Sequence, residues 1–599
     1  MVRLSEYVMN FLAKEGVRHI FMVSGGGGMF LIDSLGRSKD IQYVCNHHEQ
    51  ASAMSAEGYE RVTGNLGVAL VTTGPAGTNA ITGVACSWND SIPVLIISGQ
   101  VKSSTLIGET GLRQRGTHEA NITKIVESIT KYAVTITDAK TIRYHLEKAV
   151  FLARSGRPGP VWLDIPLDVQ SAMVDEASLL PFVDENEEAL FSPEIDKVKV
   201  NEIADNLFNA KRPIIVAGHG IRLASVEEWF LEFIERFRIP VVTTKLGVDL
   251  IPDSHELFAG KIGTYGQRAG NFSIQNSDFV LTLGTRLAFT TTGYETAWFA
   301  REAKKAVVDI DPAILKNLNV KADIAVLADL KKFFPALSLA LKGKAVENEA
   351  WIKRCQEWRK KYPPVLPEWH AEKKYVNPYC FFEVLSEELA QEDVVITDQG
   401  ATFYCSTPAF KIKAGQRLFT NGGFSPMGYG LPAAIGACLA HEEKRIICAH
   451  GDGGLELNIQ ELQTIVQYQL PIKLFVFNNQ GYLSIKHTQA AYFDSFFVGS
   501  DPASGVSCPD TMKIAKAYGI PAVRIRNHKD MRKQIQKVLR MGGPVMIDVL
   551  MHPMQPFVPR VTSERKPDGR FVSKPLEDMY PFLDRAEFLA NMIVKQVDS

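Results

Sequence analysis

The chain reads as an α/β protein of three doubly wound parallel-sheet domains followed by a C-terminal lid or tail. Three observations predict this. Its 599 residues exceed what one hydrophobic core holds, so units of about 150 to 200 residues are expected. Short apolar runs bounded by glycine, proline and polar residues alternate with helical periodicity, the pattern of parallel strands covered by helices. Two irregular stretches break the alternation: residues 171–196, which are acidic, and residues 362–378, which carry Pro363, Pro364 and Pro367 among polar side chains. Both read as linkers, giving domains at 1–172, 190–345 and 375–560, with the tail at 561–599.

The first unit opens on an amphipathic helix over residues 1–17, interrupted by Glu6, Lys14 and Glu15 and therefore unlike a secretory leader. The run Val23–Gly28 holds more glycine than a turn requires, so backbone amides at Gly25 and Gly26 are open to a bound group. A short strand at 41–45 leads into a helix of small residues, suited to close packing, with Glu49 near its start, where an acid also favours the first turn. Thr73, Gly74 and Asn79 lie on another strand-to-helix connection, and Gly156–Pro166 reads as a turn, a buried strand and a proline stop. In the central unit the strand Ile214–Val216 runs into Gly218-His219-Gly220, a GxG without the rest of the dinucleotide fingerprint.

The third unit carries the strongest chemical signal. Arg445–His450 and Lys473–Phe477 are apolar runs of buried parallel strands. The first ends in Gly451-Asp452-Gly453-Gly454 and is followed by helical periodicity over 455–468; the second ends in Asn478-Asn479. Asp452 and Asn479 therefore emerge on the carboxyl edge of the sheet, where open α/β folds place ligands. A carboxylate, an amide oxygen and a nearby backbone carbonyl form a hard oxygen set suited to magnesium that keeps phosphate oxygens as further ligands. Gly453 and Gly454 leave backbone N–H groups to approach a diphosphate at a helix start.

Composition narrows the class without naming a substrate. A formal net charge of −1 with balanced lysine, arginine and acids gives no nucleic-acid or membrane footprint. No apolar run approaches the roughly 18 residues of a membrane span. Eight scattered cysteines without a CxxC pair read as reduced core residues, Cys405 and Cys448 among them, of a cytoplasmic protein.

The segment from Gly451 to Tyr482 resembles the thiamine diphosphate motif, and the resemblance extends along nearly the whole chain to the acetolactate synthase group of thiamine diphosphate enzymes. It implies pyrimidine-binding, central and diphosphate-binding domains in that order. Asp452, Asn479 and the carbonyl of Gly481 would hold magnesium, with Tyr482 and Leu483 closing the cofactor contacts. Glu49 matches the glutamate that hydrogen-bonds a ring nitrogen of the aminopyrimidine and favours its imino tautomer, the base for the thiazolium proton. Asn421–Pro432 is similar to the segment beneath the pyrimidine: the Ser425 carbonyl would accept from the exocyclic amine and Met427 would wedge the cofactor into a bent shape, with Ile485 supporting it. Asp398-Gln399-Gly400 resembles the loop at the diphosphate, and the segment from Thr73 and Gly74 to Asn79 resembles the loop lining the pyrimidine pocket. His118 stands where the synthases carry glutamine beside the thiazolium, a candidate proton donor. Gly284-Thr285-Arg286 and Asp309-Ile310-Asp311 resemble segments that hold FAD, which together with Gly218 and Gly220 implies a structural, non-redox flavin. Leu287-Ala288-Phe289 departs from the acidic pair found there in the synthases. The resemblance also implies a homodimer or homotetramer in which one subunit supplies Glu49 and its partner the metal site.

Specificity is most legible after the metal motif. Thr488 stands where the synthases carry tryptophan, and Ser484 replaces a methionine, which enlarges and polarises the acceptor pocket; Lys486, His487 and Gln489 are further candidates there. The tail, Phe557–Val561 and Lys566–Met579, is similar to that of acetyl-transferring carboligases of branched-chain sugar biosynthesis and reads as a lid. The expected reaction is decarboxylation of a 2-oxo acid, pyruvate first, with transfer of the acyl unit to a carbonyl acceptor larger than pyruvate, such as a ketone or keto sugar. The alternatives are an acetolactate synthase using two pyruvates, a diketone hydrolase of the same superfamily, and a silent binding subunit, which intact Glu49, Asp452 and Asn479 argue against.

Overall fold

A computed structural model describes residues 1–183, 193–565 and 570–597. Part of the first linker, residues 190–192 of the expected central domain, and Lys566–Gly569 of the tail lie outside the described residues. Three six-stranded sheets form the body of the chain. Each is fully parallel and carries helices on its faces, which is the predicted α/β class. With strands counted in chain order, the first sheet (His19–Met22 to Val161–Pro166) and the third (Val394–Thr397 to Val545–Leu550) share the order 2-1-3-4-6-5. The first and third sheets thus repeat one architecture. The central sheet (Pro213–Ala217 to Ile324–Leu327) has the order 3-2-1-4-5-6. Each order reverses beside strand 1, and the crevice at that reversal is where a ligand enters.

The first and third sheets are joined by a helix seam. Helix Glu49–Thr63 and helix Gly430–Ala440 are rich in alanine, serine and glycine, so their backbones approach closely. A Cβ on Gly436 would stand 1.8 Å from the Ser55 carbonyl oxygen, and one on Gly58 2.2 Å from that of Ala433. Ser55 Oγ donates to the Pro432 carbonyl at 2.9 Å, and one apolar cluster runs through both helices and both sheets. Beside the seam Arg61 is buried between Glu57 and Asp90, at 2.8 and 2.6 Å. Both carboxylates also bond the third sheet's loop: Glu57 accepts from Asn421 Nδ2 and Tyr429 Oη, and Asp90 from the N–H groups of Gly422 and Gly423. Arg417 ties in the central unit, donating to Asp249 and to the Arg61 carbonyl.

Several expectations change in detail. The opening helix is Leu4–Lys14, because Val2–Arg3 pairs as a strand with Met173–Val174 and draws the start of the linker into structure. The periodicity over 455–468 resolves into two short helices, Asp452–Leu455 and Glu461–Gln467. The end of the tail packs on the central unit: Arg301 pairs with Glu577 at 2.8 Å, and Trp358 Nε1 and Asn276 Nδ2 donate to Asn591. Of the expected lid, the strand Phe571–Ser573 reaches the helix that follows the metal motif, through Phe571 against Tyr492 at 5.1 Å between ring centroids.

Candidate active site

Strands Ile446–Gly451 and Ile472–Asn478 are neighbours, in register from Ile446↔Ile472 to Gly451↔Phe477, so Asp452 and Asn479 leave the same sheet edge side by side. Asp452 is only 4 % exposed, and a buried carboxylate gathers donors. Gly453 N–H reaches one oxygen at 2.9 Å, while the N–H groups of Asn479, Gln480 and Gly481 reach the other at 3.1, 2.6 and 3.4 Å. Burial outweighs these bonds and pushes the carboxyl up to about 6. Beside it, the Asn479 Oδ1 is buried without a partner, which is what a cation-ligating oxygen looks like before its ion is bound. No three His, Cys, Asp or Glu side chains converge among the described residues, so a cation here must also use amide and carbonyl oxygens. Gly481 has φ +130°, and a Cβ there would stand 2.3 Å from the Ser500 carbonyl oxygen, so glycine is required. The N–H of Gly453, expected to face a diphosphate, is spent on Asp452.

Asp398, expected at the diphosphate, turns inward. Its carboxylate accepts from Gly428 and Gly430 N–H, both at 3.2 Å, and lies 3.3 Å from His450 Nδ1. It thereby holds the chain around Met427, while the partly exposed Gln399 and Gly400 stand at the start of helix Ala401–Ala409. A Cβ on Gly454 would lie 2.3 Å from that Asp398 carboxylate. Gln399 Nε2 donates to the Asn421 carbonyl at 2.8 Å. Asn421 Oδ1 accepts from Phe424 and Ser425 N–H, and Ser425 sits at φ +59°. The strained turn bearing Ser425 and the half-buried Met427 is therefore built on Asn421, which Glu57 fixes in turn.

At the first sheet, the Val23–Gly28 and Thr72-Thr73-Gly74 loops flank the reversal. Gly25 packs on Thr72, where a Cβ would meet the methyl at 2.5 Å, whereas Gly26 faces open space. Glu49 does not cap its helix: His48 Nδ1 accepts from Gln50 N–H at 3.1 Å. The Glu49 carboxylate, 9 % exposed, instead accepts from Asn79 Nδ2 at 2.9 Å. Asn79, expected at the pyrimidine, thus orients Glu49. Gly74 has φ +63° and a Cβ there would lie 1.8 Å from the His118 carbonyl oxygen; His118 itself is exposed at φ +65°. The loop carrying it is folded around Glu119, a buried carboxylate that accepts from the N–H groups of Ile107, Arg115 and Gly116. Sequence reading passed over Glu119, whose only sign was its place beside His118.

Helix Leu483–Tyr492 divides the acceptor candidates. Ile485 is 47 % exposed, Thr488 is exposed with its hydroxyl on the Ser484 carbonyl, and Ser484 Oγ is buried without a partner. The other three are committed elsewhere. Lys486 is buried, its ammonium on the Asn479 carbonyl at 3.2 Å and its pKa lowered by burial, with Asp452 and Asp501 opposing. His487 bonds the Gln555 carbonyl at 2.7 Å and packs on Phe557, and Gln489 bridges the Val498 carbonyl and Ser500 Oγ.

The central sheet's reversal opens on a cavity of about 370 Å³ lined by Gly220, Gly284, Arg286 and Asp309, with Asp90, Lys245 and Gly422 from its surroundings. The glycine amides do not line it as a phosphate cradle: Gly218 N–H donates to Leu283 and Gly220 N–H to Gly284. A Cβ on Gly220 would meet the Gly284 Cα at 2.6 Å, so these glycines let two strand ends touch. Asp311 caps the following helix and pairs with Arg157 at 3.2 Å. Asp309 is pushed up to about 6 by burial. Arg286 is exposed, and His219 has both ring nitrogens unpartnered, so cations and polar groups remain for an anionic ligand.

Family models agree with this geometry along the chain. The thiamine pyrophosphate enzyme N-terminal TPP binding domain matches residues 2–124, the central domain 200–337 and the C-terminal TPP binding domain 398–549. The chain belongs to the thiamine pyrophosphate enzymes. Thiamine pyrophosphate is the thiamine diphosphate of the motif above. Among similar proteins, the acetolactate synthase large subunit of Lactococcus lactis is 33% identical over 562 residues, 93% of this chain and 94% of that protein. The probable acetolactate synthase large subunit of Methanocaldococcus jannaschii is 32% identical over 566 residues, 93% of each. The acetolactate synthase large subunit of Cyanidium caldarium is 31% identical over 563 residues, 91% of this chain and 92% of that protein. This thiamine pyrophosphate enzyme is thus acetolactate synthase-like and acts on 2-oxo acids. No helix among its described residues is long and apolar enough to cross a membrane.

Proposed function

We propose that the protein is a magnesium-dependent carboligase that decarboxylates pyruvate and transfers the acyl unit to a carbonyl acceptor. The observation that carries this reading is the unpartnered Asn479 Oδ1 beside the buried Asp452 carboxylate on adjacent strand ends. Asp452, Asn479 Oδ1 and the Gly481 carbonyl are the ligand set for magnesium. Bound there, thiamine diphosphate supplies a cationic thiazolium that accepts the electrons released as carbon dioxide departs. Glu49 holds a proton at the pyrimidine nitrogen; Asn79 fixes one of its oxygens and leaves the other for that task. Ser425 and Met427 form the floor, Gly26 and the Thr73-Gly74 turn the facing wall, and His118 the proton donor at the mouth. Gly451, Gly454, Tyr482 and Leu483 complete the grip on the diphosphate side.

The names of the relatives favour a second pyruvate as acceptor, giving acetolactate. A larger acceptor, a ketone or keto sugar, is the second reading, supported by exposed Thr488 and the unpartnered Ser484 hydroxyl. Incubation of the purified protein with thiamine diphosphate, magnesium and pyruvate, with and without a panel of ketones and keto sugars, separates the two by product mass. Carbon dioxide release should accompany either; its absence would sink both.

Two further parts belong to the same reading. Arg286, with Lys245 nearby, is the anion anchor for FAD in the central cavity, where the flavin serves structure and performs no redox step. Flavin bands in the visible spectrum of pure, folded protein test this, and their absence removes FAD. The active site is shared between subunits of a homodimer, each lending Glu49 to its partner, the arrangement that the resemblance to the acetolactate synthases implies. Mixing Glu49→Gln with Asp452→Ala chains, each inactive alone, should then restore roughly a quarter of activity through mixed dimers; no recovery after verified subunit exchange would place both residues' chemistry in one chain.

A further inference from the structure

The turn that delivers Glu49 to its helix is gripped from another part of the chain. Asn46 and His47 directly precede helix Glu49–Thr63. Both bond a single buried carboxylate, Glu461: Asn46 Nδ2 donates to Oε2 and His47 N–H to Oε1, each at 2.9 Å. Thr464 Oγ1 donates to the same Oε2 at 2.7 Å, and Glu461 is fully buried. A second strut comes from the same segment, where Tyr468 Oη accepts from Cys45 N–H at 2.8 Å. Helix Glu461–Gln467 follows the Asp452–Leu455 turn, so one short stretch of chain carries the metal ligand at one end and the grip on the Glu49 turn at the other.

A carboxylate stripped of water is costly unless its oxygens are fully occupied. Among the described residues no lysine or arginine pairs with Glu461, and neutral donors alone occupy it. Two of the three lie immediately ahead of Glu49. An apolar side chain would fill the same core position without that desolvation, so packing does not account for an acid here, whereas fixing the direction of a turn does.

We propose that Glu461 is a positioning residue for Glu49: it sets the entry of helix Glu49–Thr63 so that the Glu49 carboxyl meets the cofactor's pyrimidine nitrogen. The proposal rests on the role given to Glu49 above. Small displacements at a reacting group are expensive, with about 1 Å worth as much as a hundredfold in rate.

Glu461→Gln keeps the shape of the side chain but turns one of its acceptor oxygens into an amide donor, so at least one of the three bonds is lost. The readout is exchange of the thiazolium ring proton of bound thiamine diphosphate for solvent deuterium, measured beside the dissociation constant of thiamine diphosphate with magnesium. The expected result is exchange slowed by about tenfold or more with affinity held within roughly threefold. The Glu49→Gln/Glu461→Gln double variant should be no slower than Glu49→Gln alone. Exchange at the wild-type rate in folded, cofactor-loaded Glu461→Gln, or slowing that multiplies in the double variant, overturns the proposal. Should Glu461→Gln not fold, Asn46→Ala removes one strut and leaves Glu461 in place; slowed exchange supports the assignment and an unchanged rate overturns it. Wild-type protein that fails to bind thiamine diphosphate would instead overturn the proposed function.

Discussion

Alanine at Gly436 tests the helix seam that joins the first and third sheets. The added Cβ would lie 1.8 Å from the Ser55 carbonyl oxygen, 2.7 Å from its carbon and 2.9 Å from Tyr59 N. Ordinary heavy-atom contact is about 3.5 Å, so the helices must part by more than about 1.5 Å locally. Overpacking costs about 1–3 kcal/mol when neighbours can adjust. Here the obstacle is helix backbone, which places the cost near the upper end. Alanine regains about 1 kcal/mol of helix propensity over glycine, leaving a net loss of about 2 kcal/mol, roughly 30-fold in the folding equilibrium. Gly36 is the control: it is exposed in helix Met29–Arg37 with nothing within 4 Å of its Cβ position, so Gly36→Ala should stabilise by about 0.5–1 kcal/mol. Urea titration followed by circular dichroism reads both shifts. Shifts of the same sign and size in the two variants would refute the backbone clash.

Asp452→Ala should abolish magnesium-dependent binding of thiamine diphosphate in calorimetry, whereas Glu49→Gln should retain binding and lose about a hundredfold or more in turnover; retained magnesium dependence without Asp452 contradicts its assignment as ligand. Thr488→Trp narrows the exposed wall and should shift products toward the smaller acceptor, by about tenfold in the ratio of acetolactate to larger adducts; an unchanged ratio removes Thr488 from the pocket. Lys473 is fenced in by the carbonyls of Met541 and Gly543, and burial lowers its ammonium to about 8. The unfolded chain then holds the extra proton between about 8 and 10.5, so wild-type stability relative to Lys473→Met should rise with pH across that window. A difference that stays flat from pH 7.5 to 10.5 counts against the buried charge.

The parallel fold and the metal motif were legible because they rest on local signals. An apolar run that ends in a lone acid or amide marks a strand's carboxyl edge whatever surrounds it, and this is how Asp452 and Asn479 stood out. The small residues of helix Glu49–Thr63 announced close packing in the same way. Groups whose meaning depends on a distant partner did not. Glu57 and Arg61, four residues apart on a helix, look like an ordinary solvated ion pair; only the return of Asp90 and Asn421 makes them a buried cluster. Glu461 looks like one more helix charge until Asn46 and His47 arrive. Gly218 and Gly220 were read with the segments that resemble an FAD site, and the partners of their N–H groups, Leu283 and Gly284, lie on another strand end. The partners of Lys486, His487 and Gln489, which are the Asn479 carbonyl, the Gln555 carbonyl and the Val498–Ser500 stretch, lie on other segments and could not be read from helix spacing. The break after Leu455 was hidden because Leu457 and Ile459 keep the apolar rhythm running between two helices.

The Arg61 cluster governs how this protein can be recombined with its relatives. A fragment ending near residue 172 would keep Arg61 with Glu57 and Asp90 but strip away the Gly422 and Gly423 amides and the Tyr429 hydroxyl, leaving two acids short of donors on a freshly wetted face. The complementary fragment would lose the anchor for Asn421 and with it the turn at Ser425. Crossovers placed in the linkers therefore cut through a shared electrostatic joint, and a functional chimera must move positions 57, 61, 90, 249, 417 and 421 as one block.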